Sequence, residues 1–339
     1  MAYKFEEVRY TRSQVKMAGK IYISDISTER EKDGALVLIN NWRASHSYPL
    51  QIIYMHLRRN TDEQTIVARR LKRLQSIEQK LRRFPNMSLT TMQDIGGCRV
   101  IVNSIPDVYK IVSGLEMSRM RHKLKKWNDY IETPKPDGYR SYHMVYSYHS
   151  DWRDTYNDLF VEIQIRTHIQ HLWATAVETM DTFTGDPLKI GHGDPENREF
   201  FILVSRLLDL YEKNEQSISA VKNSETLQEF VQYEREHEVL GKLKSIKEAV
   251  ENVQEINGRN QGYYVLNLNR ESNLLIIKAY KKSELKLATA EYDLAEKNRT
   301  VNEDVVLVST ASFNMLKKAY PNYFSDINEF IALIDSFLE

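Results

Sequence analysis

The spacing of apolar residues changes along the chain from a helical period to alternation and back again. Helical spacing predicts helices over 36–58 and 64–84, and basic residues fall on a separate face of the second one. From Cys98 to about residue 165 the pattern is strand-like with intervening helices. Helical spacing returns over 168–183 and 197–215. The pattern therefore predicts strands and helices packed together in the first part of the chain.

A second pattern begins near Gly258, after a charged helical stretch over 223–257. The chain ends in an amphipathic stripe from Ile327 to Leu338, for which Ser325 is the expected N-cap. Between them, turn-like residues separate strand-like segments over 262–269, 273–280, 285–295 and 304–309. We predict a first domain over 1–215, a helical connector over 216–257 and a small β-rich domain with a terminal helix over 258–339.

Composition limits the classes of protein that this chain can belong to. Its 339 residues contain 47 Lys plus Arg and 47 Asp plus Glu, so any contact with nucleic acid must come from a local patch. Cys98 is the only cysteine, which excludes an intramolecular disulfide and a cysteine zinc site. No segment resembles a signal peptide or is apolar enough to span a bilayer. We expect a cytoplasmic protein that does not contact membranes.

Two acidic residues lie where the ends of predicted strands meet. Asp94 is in a glycine-containing loop just before a strand, and Glu162 lies on an alternating strand that places Gln164 and Arg166 on the same face. Two carboxylates that face one cleft can share Mg²⁺ with substrate phosphates, and one of them can accept a proton from a hydroxyl. The alternative is that each carboxylate only caps a helix or forms a surface ion pair.

Basic residues precede and follow these carboxylates. Arg99 can reach the same cleft from its strand, since guanidinium groups bind phosphate and stack on bases. The alternative for the basic residues of the second predicted helix is a solvated face, which we expect for at least two of them. Five of its residues can clamp a triphosphate: Arg70, Lys72, Arg73, Lys80 and Arg83.

The segment PKPDGYRSYH (134–143) predicts a loop, because proline and glycine interrupt regular structure. Tyr139 presents a flat ring that suits stacking on a base. Lys135, Arg140 and His143 supply donors for phosphate or ribose. An ordinary surface hairpin is the alternative.

A basic run precedes this loop in the sequence SRMRHKLKKW (118–127). In a chain without net charge, this local excess can guide a polyphosphate or an RNA backbone. A solvated charge run is an equally good explanation. The cations are Arg119, Arg121, Lys123, Lys125 and Lys126.

Four motifs in this order closely resemble the synthetase domain of the RelA/SpoT family, over roughly 40–215. They are RLKRLQSIEQK (70–80), DIGGCR (94–99), DYIETPKPDGYRSYH (129–143) and EIQIRT with QHLWA (162–174). The resemblance implies an α+β fold with a mixed five-stranded sheet flanked by helices, related to nucleotidyltransferases. It also implies transfer of the β,γ-pyrophosphate of ATP to a ribose 3′-hydroxyl, with release of AMP.

The resemblance assigns roles to residues on the ATP side. Asp94 is similar to the Mg²⁺-binding aspartate, and Glu162 to the glutamate that binds metal or activates the hydroxyl. Arg70 and Arg99 resemble the pair that sandwiches adenine. Contacts with the phosphates are implied for Lys72 and Lys80.

On the acceptor side, Tyr139 resembles the tyrosine that stacks on the acceptor base, and we include it among the catalytic residues. The remaining expected contacts with the acceptor are Lys135, Arg140, His143 and Gln164. The chain contains no His-Asp pair of the kind found in the family's hydrolase domain, so we expect an enzyme that only synthesises.

The C-terminal part resembles that of CapRel-type proteins, fused toxin–antitoxins of the same superfamily. The resemblance implies a zinc-finger-like fold without metal, in which a Tyr-x-x-Tyr segment occupies the ATP site. Here that segment is Tyr320-Pro-Asn-Tyr323, which can alternatively pack under the last helix. The resemblance further implies the 3′ end of tRNA as acceptor and release by a phage protein such as a capsid protein.

Other functions fit the same motifs. An alarmone synthetase acting on guanosine or adenosine nucleotides needs the same site, because both reactions modify a ribose hydroxyl. A catalytically inactive nucleotide sensor or RNA-binding module is the alternative outside the enzymes, although retention of Asp94 and Glu162 argues against it. The helices used for oligomerisation in small alarmone synthetases are not recognisable, so we expect a monomer.

Overall fold

The computed structural model describes residues 5–184, 188, 193–248, 252–256, 262–269, 272, 274–300, 303–310, 316 and 327–339. The strands in this part of the chain are β1 (Ile66–Leu71), β2 (Gly96–Val102), β3 (Lys123–Asp129), β4 (Tyr142–Ser147), β5 (Phe160–Thr167), β6 (Asn252–Ile256), β7 (Tyr263–Asn269), β8 (Leu274–Tyr280) and β9 (Glu303–Ser309). The helices are α1 (Arg12–Ile23), α2 (Glu29–Ser45), α3 (Ser47–Arg59), α4 (Leu74–Arg83), α5 (Ile105–Glu116), α6 (His168–Thr184), α7 (Pro195–Lys213), α8 (Ile218–Lys222), α9 (Glu225–His237), α10 (Val239–Glu248), α11 (Leu285–Asn298) and α12 (Asn328–Leu338).

The described strands form one mixed sheet in the order β3-β4-β5-β2-β1-β9-β7-β8-β6. The predicted α+β fold with a mixed sheet is confirmed, but the expectation that the sheet has five strands is wrong. The free edge of β1 is covered by β9, which pairs Arg69 with Ser309 and Arg70 with Val308. The C-terminal strands therefore extend the first sheet, and a zinc-finger-like fold is not confirmed. The domain boundaries at 215 and 257 stay predictions.

One face of β1–β5 packs against α3 and α5 to form a buried core. The alternation in β5 places Val161, Ile163 and Ile165 in this core, beside Val100 of β2 and Met144 of β4. Because side chains alternate between faces, the polar residues of these strands lie on the opposite face. The amphipathic pattern of the first part of the chain therefore creates a polar sheet face.

The helix predicted over 64–84 is wrong in its first half, which forms strand β1. Its second half is helical and forms α4. Val67 packs in the core with α3, whereas Ile66 and Ala68 pack on the other face with C-terminal strands. A strand that is buried on both faces has no polar–apolar alternation, so its apolar run resembles part of a helix.

Three other predicted elements also differ. The segment 36–58 belongs to two helices, α2 and α3, which meet at His46. The stretch 223–257 contains α9 and α10 but also β6, which pairs in parallel with β8. The strand predicted over 285–295 is helix α11. Its buried residues Leu285, Ala288 and Tyr292 follow helical spacing, which the alternation of LKLATAEY obscured.

A helical group lies beside the polar sheet face. The helices predicted over 168–183 and 197–215 are confirmed as α6 and α7, and they share a buried core with α12. The apolar stripe of the terminal helix is confirmed, since Phe330, Ile331 and Ile334 are buried in this core. Ser325, Tyr320 and Tyr323 lie outside the described residues. In the described ranges, no helix is long and apolar enough to cross a membrane.

Candidate active site

The polar face of β1–β5 forms the floor of a cavity of about 420 Å³. Strand register builds the floor in rows, because laterally paired residues point to the same side of a sheet. One row contains Lys126, Val145, Glu162, Gly97 and Arg70. Gly97 leaves space between the glutamate and the arginine, since the nearest atom to an added Cβ would be a backbone oxygen at 4.0 Å.

The neighbouring row of the floor contains Asn128, His143, Gln164 and Arg99. Arg70 is two positions from the residue paired with Arg99, so both guanidinium groups rise from the same face, diagonally across β1 and β2. Both residues line the cavity. The structure thus brings together the two arginines that the family resemblance assigns to adenine, with Arg70 on a strand rather than on the predicted helix.

Asp94 lies immediately before β2 and is held by two lysines. Its Oδ2 accepts from Lys72 Nζ at 2.8 Å, and its Oδ1 accepts from Lys80 Nζ at 3.0 Å. Burial alone would raise the pKa of Asp94, but the two lysines outweigh burial and lower the pKa to about 2. Asp94 is therefore ionised at every physiological pH. Lys72 lies in the turn after β1 and Lys80 on α4, so the predicted cationic helix face is divided between a strand, a turn and a helix.

Glu162 is the centre of a hydrogen-bonded network on the cavity floor. Its Oε1 lies 3.1 Å from His143 Nδ1, and its Oε2 accepts from Gln164 Nε2 at 2.8 Å. The other ring nitrogen of His143 lies 2.9 Å from the Tyr139 hydroxyl. Burial opposes charge on His143, but Tyr139 and Glu162 outweigh burial and raise the pKa of His143 to about 9. Burial would also raise the pKa of Glu162, whereas His143 lowers it, so the pair is charged at neutral pH.

Tyr139 shares its surroundings with a second tyrosine and a lysine. Lys135 Nζ lies 4.7 Å from the ring centroids of both Tyr130 and Tyr139, which are 6.2 Å apart. Burial would raise the pKa of Tyr139, but His143 and Arg166 lower it to about 8. A base that stacks on Tyr139 must replace the Lys135 ammonium on the ring or use another part of the ring.

The loop that carries Tyr139 is fastened to α7. Gly138 has a φ of +87°, and its carbonyl oxygen accepts from Ser205 Oγ at 2.6 Å. Arg140 forms an ion pair with Asp209 at 2.9 Å and donates to the Ile131 carbonyl at 3.2 Å. The guanidinium of Arg140 is thus engaged with α7, and Arg140 is not among the residues that line the cavity, so its expected contact with the acceptor stays a prediction.

Arg166 is a cavity residue that the sequence did not assign to the site. It is 2% exposed, and its Nε has no hydrogen-bond partner in the described structure. Burial and the charge of Arg99 lower its pKa to about 9, so it remains a cation at neutral pH. The signal was the alternation Glu162-x-Gln164-x-Arg166, which placed Arg166 on the site face. A buried guanidinium whose Nε lacks a partner, beside Arg99, is suited to a phosphate.

The basic run before the loop is only partly connected to the cavity. Lys126 lines the cavity together with Asn128, both on the edge strand β3. Lys123 and Lys125 are exposed on the same strand, and Arg119 is exposed before it. Arg121 forms an ion pair with Asp151. The run thus leads from the surface to the rim of the cavity.

Two ionised carboxylates in one polar cavity fit a site for Mg²⁺. In the described part of the chain, no group of three or more His, Cys, Asp and Glu residues can hold a metal alone. Mg²⁺ usually binds proteins through one or two carboxylates and completes its octahedron with water and substrate phosphates. The donor set of Asp94 and Glu162 therefore fits Mg²⁺ that arrives with a nucleotide.

Comparison with known proteins identifies this region. Residues 69–181 match the family model described as the region found in RelA / SpoT proteins, and they include all four motifs. GTP pyrophosphokinase YjbM of Bacillus subtilis (strain 168) is 36% identical over 117 residues, which are 34% of this chain and 55% of that protein. GTP pyrophosphokinase YwaC of the same organism is 36% identical over 112 residues, or 31% and 52% of the two chains. The chain thus spans about half the length of these curated relatives.

Solved structures give matches of the same type. Small alarmone synthetase 1 from Bacillus subtilis bound to its product pppGpp is 28% identical, with a TM-score of 0.39, over 47% of this chain and 79% of that one. A GTP pyrophosphokinase family protein from Streptococcus pneumoniae is 27% identical, with a TM-score of 0.41, over 52% and 94%.

Proposed function

From the premise that the chain contains a synthetase domain of the RelA/SpoT type, we propose that it transfers pyrophosphate from ATP to a ribose 3′-hydroxyl. The observation that carries this proposal is the arrangement of charge in one cavity. Two ionised carboxylates, Asp94 and Glu162, are surrounded by cations on adjacent strands. Such a site can hold a triphosphate, its metal and a second anionic substrate together.

In the proposed reaction, the 3′ oxygen of the acceptor ribose attacks the β-phosphorus of ATP. The bond from that phosphorus to the oxygen bridging to the α-phosphate breaks, AMP leaves, and the hydroxyl proton is released. When bound, Mg²⁺ neutralises charge on the phosphates. Lys72 and Lys80 are proposed to move from Asp94 to the phosphates, and Arg166 to hold an oxygen on which charge develops. Arg70 and Arg99 are proposed to stack on the adenine.

Glu162 is proposed to orient the attacking hydroxyl and to receive its proton as the new bond forms. A carboxylate with a lowered pKa is a weak base, but phosphoryl transfer depends mainly on positioning and charge. His143 holds the Glu162 carboxylate in place through its hydrogen bond of 3.1 Å. Tyr139 is proposed to contact the acceptor base, with Lys135 and Gln164 beside it.

Transfer of label tests this proposal. The full chain carries Tyr320→Ala and Tyr323→Ala, so that the Tyr-x-x-Tyr segment cannot occupy the ATP site. It is incubated with γ-³²P-ATP, Mg²⁺ and either a guanosine or adenosine nucleotide or intact tRNA, and products are separated with AMP as the marker of turnover. We expect one acceptor to gain label in proportion to AMP released, and none to gain label when Mg²⁺ is omitted. Release of inorganic phosphate without a labelled acceptor would contradict pyrophosphate transfer.

The acceptor is proposed to be the 3′ end of tRNA, with a guanosine or adenosine nucleotide as the second candidate. The basic edge strand β3 favours tRNA, because exposed lysines lead to the cavity and a long polyanion can follow them. Of the lysines on β3, a mononucleotide inside the cavity can contact only Lys126, because Lys126 lines the cavity and Lys123 and Lys125 do not.

Charge reversal on this strand separates the two acceptors. With tRNA as acceptor, Lys123→Glu together with Lys125→Glu is expected to lower kcat/KM for tRNA by roughly tenfold, because phosphate contacts outside the cavity are lost. Lys126→Glu is expected to lower kcat/KM for either acceptor. Initial rates at constant salt measure both effects. If the double variant lowers the use of a mononucleotide as strongly as that of tRNA, the strand does not distinguish acceptors by length.

We further propose that the chain is a toxin because it modifies tRNA and thereby blocks translation. Its C-terminal segment is proposed to inhibit it, and a phage protein such as a capsid protein to release it. Two described residues that flank the segment support this proposal. Leu316 is buried with Ile66 and Ala68, whose side chains share the face of Arg70, and Ile327 is buried beside α6. Leu316 and Ile327 themselves therefore lie on the cavity side of the sheet.

Replacement of Tyr320 by alanine tests the inhibition. If the tyrosine occupies the ATP site, Tyr320→Ala in the full chain should stop bacterial growth on induction, whereas the unchanged chain should not. The same substitution combined with Glu162→Gln is the control, because it removes transfer and should restore growth. Equal growth of cells with the unchanged chain and with Tyr320→Ala would contradict inhibition by this segment.

A further inference from the structure

Helix α4, which carries Lys80, begins without a side-chain cap of its own. Its N-cap residue is Arg73, whose backbone is extended in the usual way but whose side chain has no acceptor atom. The first amide of the helix, Leu74 N–H, instead donates to Glu296 Oε1 at 3.4 Å. Glu296 lies on α11, in the C-terminal part of the chain. A carboxylate at this position also interacts favourably with the helix dipole.

Glu296 is held in this position by one residue of α11 and by the residue that follows the end of α11. It is 7% exposed, and its Oε1 also accepts from the Tyr292 hydroxyl at 2.6 Å. Its Oε2 accepts from Arg299 Nε at 3.2 Å. A buried carboxylate is retained at low cost only when its oxygens are hydrogen-bonded, and these contacts satisfy both of them.

Arg43 of α2 extends the network to the turn that precedes α4. One of its terminal nitrogens donates to the Tyr292 hydroxyl, and its Nε donates to the Lys72 carbonyl at 3.2 Å. The Lys72 amide donates to the Ile95 carbonyl at 2.8 Å. The backbone of Lys72 is therefore held from two sides: Arg43 binds its carbonyl oxygen, and its amide binds Ile95, the residue next to Asp94.

We propose that α11 positions the nucleotide site through two residues: Glu296 caps α4, and Tyr292 links Glu296 to Arg43, which holds the turn from Lys72 to Leu74. These are positioning residues, since they act through the two lysines that hold Asp94. The inference rests on the proposed function in one respect, namely that these lysines and Asp94 bind the nucleotide and its metal. A chain that ends at residue 257 lacks α11 and β9, so it should bind ATP more weakly than a released full chain.

Substitutions in the full chain test this role. Glu296→Ala removes the cap and Tyr292→Phe removes the bridging hydroxyl, whereas Glu296→Gln keeps an acceptor oxygen for Leu74. Glu291→Ala is the matched control, because Glu291 lies on the same helix but pairs with Lys278 of β8. All variants carry Tyr320→Ala and Tyr323→Ala, so that the C-terminal segment cannot compete with the nucleotide.

Amide hydrogen exchange measures the positioning directly and needs no nucleotide. We expect faster exchange over 72–83 in Glu296→Ala and Tyr292→Phe, with α5 unchanged, and no change in Glu291→Ala. Faster exchange over the whole chain would mean that Glu296 only stabilises the fold. Exchange over 72–83 that is equal to that of the parent chain would also overturn the proposal.

Calorimetric titration with a non-hydrolysable ATP analogue and Mg²⁺ measures the consequence for binding. Glu296→Ala should weaken binding roughly tenfold, because loss of an N-cap typically makes the first turn unfold part of the time. Glu296→Gln should bind within about threefold of the parent chain. Unchanged binding by Glu296→Ala would overturn the positioning role. If the parent chain itself binds no analogue, the proposed function fails, and hydrogen exchange still decides whether α11 holds α4.

Discussion

In a full chain released by Tyr320→Ala and Tyr323→Ala, replacing Glu162 by glutamine should lower the rate of pyrophosphate transfer by roughly a thousandfold while the chain stays folded. Glutamine keeps the length of the side chain and an oxygen that can accept from Gln164. It removes the negative charge that lies 3.1 Å from His143 and faces the cavity. Release of AMP in the presence of the acceptor gives the rate, and calorimetric titration with a non-hydrolysable ATP analogue shows whether ATP binding is retained.

The same substitution should lower the pKa of His143 from about 9 toward its ordinary value of 6.5, because the carboxylate partner is lost. In the unchanged chain the folded pKa is raised, so the stabilisation from charged His143 is complete below pH 6.5 and disappears as the pH rises through about 9. Titration of the His143 ring protons by NMR measures the shift without any turnover.

Glu63→Gln is a matched control, since Glu63 is an exposed residue between α3 and β1. It should change neither the transfer rate nor the pKa of His143. If the released chain with Glu162→Gln turns over ATP as fast as the released chain without it, Glu162 is not catalytic. A nucleotide sensor without transferase activity would then become the better explanation of this cavity.

Replacing Gly138 by alanine should lower kcat/KM for the acceptor by roughly a hundredfold, with a much smaller effect on ATP binding. Gly138 has a φ of +87°, and for alanine this left-handed region alone costs about 1–2 kcal/mol. The added Cβ would also lie 2.9 Å from Ser205 Cβ and 3.3 Å from the Trp173 ring. The loop must therefore move away from α7 and displace Tyr139 and Lys135.

Gly114→Ala is the control for the introduction of a methyl group. Gly114 lies within α5, and an added Cβ there would meet no atom within 4 Å. Alanine favours a helix over glycine by about 1 kcal/mol, so this variant should be at least as stable as the unchanged chain. Steady-state kinetics with each substrate varied in turn distinguishes the two positions. An unchanged acceptor KM and kcat in Gly138→Ala would show that the loop does not position the acceptor.

Most of the candidate site could be predicted from sequence, because its residues lie on strands whose alternation is visible. Glu162 and Gln164 share a face in any strand with this pattern, and Asp94 precedes the neighbouring strand. Arg166 belongs to the same alternation, yet its place in the cavity depends on burial by elements that the pattern does not position. Arg140 shows the converse. Its residue type and its position in the motif fit a contact with the acceptor, but in the structure its guanidinium forms an ion pair with Asp209 of α7.

The errors in the predicted elements have one physical origin. Strand β1 is apolar on both faces because C-terminal residues cover one of them, and no local pattern contains that information. The segment that forms α11 contains both an alternation and a helical stripe, and packing on β7 and β9 selects the helix. For β1 the deciding contacts come from the distant C-terminal part of the chain, whereas for α11 they come from the strands that precede and follow it.

The sequence by itself determined the chemistry of the cavity floor, because alternation and motif order fix which side chains rise from neighbouring strands. It also determined the helices whose apolar stripes are long and regular, including α6, α7 and α12. Only the tertiary structure decided that the C-terminal strands continue the sheet of the candidate site and that Glu296 caps α4. Strand pairing at a sheet edge uses backbone groups that every residue possesses, and a cap supplied from a distant helix leaves no local signal.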